Sequence, residues 1–170
     1  MSDSSSTPEA IVLDCPHSEI ECSGPGVHVR WVAGEVTKEA RQWTALIQTE
    51  LEPRAAVQSG PDGSSTVYVV RVEEGTVGLT ASAPITCFGD CVMSTPADRT
   101  TDSYGFSSVP VPPGTEVVLE AGDAAMFEDT DADATHIYRN AGDGMARLTT
   151  VVTSPASHKG RCGGRCFSAF

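Results

Sequence analysis

Lysine is nearly missing from this 170-residue sequence, standing only at Lys38 and Lys159 against 23 acidic residues and a net charge of −12. Nucleic acids and anionic membrane surfaces need a basic patch to displace counterions, so neither is expected as a partner. The acidity itself, with a pI near 4.5, reads as solubility or a salty habitat. No apolar run approaches the roughly 18 residues of a membrane-crossing helix. Long Leu/Lys/Glu-rich amphipathic stretches are missing too, whereas Val, Thr, Gly and Pro are abundant, which favours strands and turns over helices. A Gly-x-Ser-x-Gly elbow and a phosphate-cradling Gly-x-x-x-x-Gly-Lys-Ser/Thr loop are both absent. Three of the four histidines, His17, His28 and His158, fall in or near the two ends of the chain, which leaves no readable nucleophilic triad.

Cysteine, by contrast, is plentiful. Six residues form three close pairs, Cys15/Cys22, Cys87/Cys91 and Cys162/Cys166. An even count in close pairs points to disulfides and an oxidising compartment, so an exported protein, extracellular or at the cell surface, is expected. Bridges within each pair, or cross-links from the C-terminal tail to the 82–113 segment, both satisfy the spacing. Cys87-x3-Cys91 and Cys162-x3-Cys166 also suit two arms of a four-thiolate zinc site. The opening MSDSSSTPEA has neither the basic nor the apolar region of a leader, and reads as a mature form carrying an added Met on a Ser/Thr/Pro tether.

Length and pattern imply one domain with loose ends. Residues 1–26 are expected as a tail and an irregular cysteine-bearing arm, 27–154 as the folded body, and 155–170 as a cysteine-bearing tail. Val27, Val29 and Trp31 share one face of a strand. Residues 39–51 suit a helix (Trp43, Ile47, Leu51) as well as a strand (Trp43, Ala45, Ile47, Thr49, Leu51). Tyr68, Val70 and Val72, then Val77, Leu79 and Ala81, alternate on either side of Glu73-Glu74-Gly75 and are expected to form a hairpin. Residues 82–113, rich in Pro, Ser, Thr and Asp, are expected as a long excursion. Strands resume at 116–120, 124–127, 135–139 and 146–153 between Gly-Asp turns. Some eight short strands at this spacing imply a jelly roll or barrel.

Residues 117–152 carry the most specific pattern: Gly122, then His136-x-x-x-Asn140, between two apolar strands. This stretch resembles the second half-signature of the cupin family, a double-stranded β-helix whose barrel histidine can bind a metal. Gly122 and His136 lie fourteen positions apart where the family pattern has eleven, and Asp131 and Asp133 replace its Pro and Gly. The first half-signature ends in a glycine; if that is Gly75, Tyr68 occupies its glutamate position, and Ser64 and Asp62 its histidine positions. The resemblance spans roughly 43–153. It implies an all-β, cupin-like jelly-roll barrel with irregular, disulfide-bearing N- and C-terminal extensions.

The ligand set that the resemblance supplies reduces to His136, with Asp62 and Tyr68 as unusual partners for a divalent metal. Tyr68, His136, Tyr138 and Asn140 otherwise line the barrel, bonding locally or binding a small molecule. Asp129-x-Asp131-x-Asp133 suits the start of a calcium loop or a solvated acidic turn. The expected function is non-catalytic, as a small-molecule-binding or accessory protein that needs no cofactor. The alternatives are a metal-dependent dioxygenase or isomerase built on His136, and a cysteine-ligated zinc protein. A homo-oligomer is compatible with all three.

Overall fold

The computed structural model describes residues 11–12, 20–37, 42–59, 65–93, 98–103, 105, 107–130, 133–155 and 168–169. All the elements described are strands: β1 (Ile11–Val12), β2 (Ile20–Gly24), β3 (Val27–Thr37), β4 (Gln42–Leu51), β5 (Ala56–Ser59), β6 (Thr66–Glu74), β7 (Thr76–Ala81), β8 (Ile85–Phe88), β9 (Val92–Met93), β10 (Thr100–Thr101), β11 (Ser107–Val111), β12 (Val117–Glu120), β13 (Ala124–Asp129), β14 (His136–Asn140), β15 (Ala146–Pro155) and β16 (Ser168–Ala169). They form two antiparallel sheets. The larger runs β1-β3-β4-β15-β6-β13-β8-β11-β10, with β2 also on β3, and the smaller runs β16-β5-β14-β7-β12-β9.

Period-two alternation explains the layering. Val70 and Val72 of β6, Ala125 and Phe127 of β13, and Leu148 and Val152 of β15 turn inward from the larger sheet; Val57, Val77, Leu79, Val117 and Leu119 turn inward from the smaller one, all at 5% exposure or less. Each inward Val or Leu contributes about 1.5–3 kcal/mol by leaving water. Residues 42–51 resolve to strand. β4 lies between β3 and β15, and Ala45, Ile47, Thr49 and Leu51 are all buried, a pattern no helix produces.

Two expectations are corrected. Strands β6 and β7 do not form a hairpin: β6 pairs with β13 and β15, while β7 pairs with β12 and β14 in the other sheet. A single residue separates them. Gly75, at φ 76°, turns the chain from one sheet to the other where a Cβ would stand 2.5 Å from the Met145 carbonyl oxygen. The segment 82–113 is no excursion either. β8 pairs with β13 and β11, and Ile85, Cys87, Val109 and Val111 are buried. Pro110 is exposed and lies beyond the residues of β11 that pair with β10, where no described strand on that side needs its missing N–H.

At the N-terminal side, residues 20–24 are a strand paired with β3 rather than part of an irregular arm. Residues 168–169 pair with β5. Cys87 and Cys91 form a disulfide that links β8 to the approach to β9; bonded to each other, they offer zinc no thiolate. Cys15, Cys162, Cys166 and the side chain of Cys22 lie outside the described residues, as does Asp62.

Candidate functional site

Among the described residues the barrel interior is largely apolar, and its buried His–Asp pair lies where β13 leaves the larger sheet and β14 enters the smaller one. Here His136, the first residue of β14, is 1% exposed, and Asp129, the last residue of β13, is 4% exposed. His136 Nδ1 lies 3.3 Å from Asp129 Oδ2. An imidazole protonated at Nδ1 donates this bond and leaves Nε2 as an acceptor.

Aromatic rings from both sheets surround this pair. His136 meets Tyr68, Phe127 and Tyr138 edge-on, at centroid separations of 4.5, 4.9 and 5.2 Å, and Tyr68 stacks on Phe127 at 5.0 Å. The register explains the convergence. Phe127 sits opposite Tyr68 on the larger sheet, and His136 and Tyr138 occupy alternate inward positions of β14. Edge-to-face pairs of this kind add about 0.5–1.5 kcal/mol beyond their burial.

The cluster is polar but under-satisfied. Asp129 Oδ1, His136 Nε2 and the Tyr138 hydroxyl are buried without a hydrogen-bond partner of standard geometry among the described residues. Each such group costs about 1–3 kcal/mol unless something meets it. Burial pushes the Tyr138 phenol well above the ordinary tyrosine range; the nearby Thr150 hydroxyl offsets part of this and the Asp129 charge adds to it.

Of the residues singled out in the sequence, the structure brings Tyr68, His136 and Tyr138 together. Asn140 shares their strand but works elsewhere: its amide donates to the Leu51 and Gly144 carbonyls and its oxygen accepts from the Gly142 N–H. It holds the 141–145 turn against β4. Asp129 and Phe127 were missed. Extending the strand at 124–127 by two residues at period two puts Ala125, Phe127 and Asp129 on one inward face. Asp129 is therefore neither a calcium ligand on a loop nor part of a solvated turn, whereas Asp133 is exposed.

A transition metal needs three or four converging N, O or S donors. Among the described residues no group of three His, Cys, Asp or Glu is placed to hold one. His136 Nδ1 is turned to Asp129, and the raised pKa of Tyr138 opposes its ionisation. The donors described do not fit a metal centre. A separate recess of about 240 Å³ lies on the outer surface between β3 and β4, lined by His28, Val29, Arg30, Gln48 and Glu50. It carries charges of both signs and does not communicate with the cluster through any residue they share.

The described chain is an all-β jelly-roll barrel. Among solved structures it is similar to an RmlC-like cupin from Shewanella frigidimarina (15% identity, TM-score 0.45, 84% of this chain and 87% of that one). It is similar to oxalate decarboxylase from Bacillus subtilis (15%, 0.44, 81% of this chain, 28% of that one). It is also similar to the Cupin_2 domain of an XRE family transcriptional regulator from Enterobacter cloacae (14%, 0.39, 75% of this chain, 95% of that one). No family model and no curated protein matches the sequence.

Two outcomes follow from the geometry. Asp129→Leu and His136→Phe should each destabilise the fold by about 2–4 kcal/mol, because each strands its partner in the interior. The double variant should cost less than their sum by about 1–3 kcal/mol in urea unfolding; additive losses would show that the pair is not coupled. The second outcome concerns Tyr138. Its folded pKa exceeds its unfolded value of about 10, so its contribution is intact below that pH and is lost as pH rises above it. Tyr138→Phe should flatten the alkaline limb of the stability profile, and an unchanged limb would contradict the burial of this hydroxyl.

Proposed function

We propose that this protein is a non-catalytic small-molecule-binding protein whose ligand sits inside the barrel against Asp129, His136 and Tyr138. The observation that carries this reading is the clustering of three buried polar atoms with no hydrogen-bond partner of standard geometry among the described residues inside a largely apolar core. Native interiors satisfy nearly all such groups, so their concentration at one point calls for a guest. Binding pockets combine an apolar, aromatic lining with a few convergent polar groups. Asp129 Oδ1 and His136 Nε2 accept, and the Tyr138 hydroxyl donates or accepts. The complementary ligand is a small organic molecule with hydroxyl or amino donors on a flat or apolar body that packs against the rings of Tyr68 and Phe127.

The test is calorimetry or thermal-shift screening of hydroxyl- and amino-bearing small molecules on the wild type and on Tyr138→Phe. That variant deletes one unpaired oxygen and keeps the ring. A bound ligand should raise the melting temperature of the wild type, and its affinity should fall by roughly fivefold, the equivalent of about 1 kcal/mol, in the variant. Chemical conversion of the ligand would overturn the non-catalytic reading. So would a stoichiometric metal that is lost in His136→Ala, which would favour a metal-dependent enzyme.

The same reading places the protein outside the reducing cytosol, on the support of the Cys87–Cys91 bridge and the six-cysteine composition. Thiol counting on denatured, unreduced protein should find fewer than six free thiols. Six would reject an oxidising compartment.

A further inference from the structure

The recess between β3 and β4 is built from a square of four side chains. On β3, His28 and Arg30 point outward, while Val29 between them turns into the core at 0% exposure. On β4, Glu50 stands opposite His28 and Gln48 opposite Arg30. Corners of such a square lie about 5 Å apart across the strands and about 7 Å apart along them. Arg30 and Glu50 therefore occupy one diagonal. The imidazole of His28 and the amide of Gln48, groups that can both donate and accept, occupy the other.

Long side chains of opposite charge on a diagonal are within reach of each other, yet these two do not pair. Arg30 is exposed, and among the described residues no carboxylate makes an ion pair with it. Glu50 turns instead to β15, where its Oε1 accepts from Arg147 Nε at 3.0 Å. Arg147 is itself shared, since its Nη1 lies 3.5 Å from Glu74 Oε2. Glu50 is thus held by one oxygen, while its other oxygen has no hydrogen bond among the described residues. Both it and Arg30 line the hollow of about 240 Å³. That volume falls below the roughly 300–1,000 Å³ of pockets for drug-sized ligands, so the occupant is small. Its charge is constrained as well. A simple anion meets Glu50 and, 3.9 Å from His28, Glu52, in a chain of net charge −12. A simple cation meets Arg30 and Arg147. A molecule carrying both charges meets each with its opposite.

We infer that this recess is a second binding site, separate from the barrel interior, and that it takes a small zwitterion with a free amine and a free carboxylate, that is, an unblocked amino acid. The ligand lies along the charged diagonal. Its carboxylate faces Arg30, whose planar fork of donors matches two carboxylate oxygens, and its ammonium faces Glu50. His28 and Gln48 flank it from the other two corners and hydrogen-bond to either end. Because Arg147 already orients Glu50, little ordering is left to do on that side when the ligand arrives. None of these residues belongs to the His136 cluster, so the site stands or falls independently of the guest proposed for the interior.

The experiment is an NMR titration of the isotope-labelled full chain with a panel of free amino acids, and with acetate and methylamine as probes that carry one charge each. At least one amino acid should shift the amide signals of residues 28–30 and 48–50 and leave those of Asp129, His136 and Tyr138 in place. Acetate and methylamine should bind there far more weakly. Arg30→Gln and Glu50→Gln, each checked for folding by a thermal melt, should weaken the amino acid about tenfold or more, as the loss of a charge-assisted hydrogen bond does. If Glu50→Gln disturbs the sheet by releasing Arg147, Arg30→Gln, which leaves every described hydrogen bond in place, decides the question by itself. A panel that moves no signal around the recess, binding that Arg30→Gln leaves unchanged, or a single-charge probe that binds as well as the amino acid overturns the inference. Shifts confined to the His136 cluster would overturn it too, while supporting the reading of the interior.

Discussion

A buried polar atom must find a partner, and this constraint gives the barrel interior its one point of chemical interest. Most inward positions are Val, Leu, Ile, Ala or Phe, and such a lining needs nothing from its surroundings. At one end the constraint is met only in part. Asp129 and His136 face each other at 3.3 Å, yet each keeps a buried atom with no partner of standard geometry among the described residues, as does Tyr138. Because Asp129, Tyr68 and Phe127 belong to the larger sheet and His136 and Tyr138 to the smaller, the cluster also marks where the two sheets meet. Whatever satisfies these atoms bears on the closure of the barrel as well as on its function.

The connections that build the cluster are short and specific. Gly75 passes the chain between sheets in a single residue, at a φ that side-chain-bearing residues rarely adopt and in a space closed by the Met145 carbonyl. Asp123 steadies the neighbouring corner: its carboxylate accepts the Asp90 and Glu120 N–H groups, while Gly122 and Asp123 exchange backbone hydrogen bonds with Val72. Asn140 fixes the far end of β14 to β4 and to the following turn. With both ends of β14 held, His136 and Tyr138 keep their inward alternation, and the aromatic rings meet edge-on instead of collapsing onto one another.

The strands were largely legible in the sequence, since alternation at period two marks an inward face wherever Val, Ile or Leu recur. Alternation does not say which sheet a strand joins, and so Tyr68, Val70 and Val72 looked like one arm of a hairpin with Val77, Leu79 and Ala81. The 82–113 segment hid its strands because Pro, Ser, Thr and Asp dominate it, although Ile85, Cys87, Val109 and Val111 carry the same alternation. Part of the site was legible too, as Tyr68, His136 and Tyr138 were singled out. Asp129 was not, because a carboxylate in an acidic run is ordinarily solvated; the pairing that brings it inside is set by a strand two residues longer than its apolar part. Asn140 has the right position and a different task, since its hydrogen bonds go to backbone groups.

The central claim is that the barrel end around His136 receives a small organic guest. A high-resolution crystal structure of the protein as purified tests it most directly, through the electron density beside His136 Nε2 and the Tyr138 hydroxyl. The account predicts continuous density of an organic molecule within hydrogen-bonding distance of both atoms. Density for ordered water alone, or rings turned so that protein groups satisfy both atoms, would contradict it.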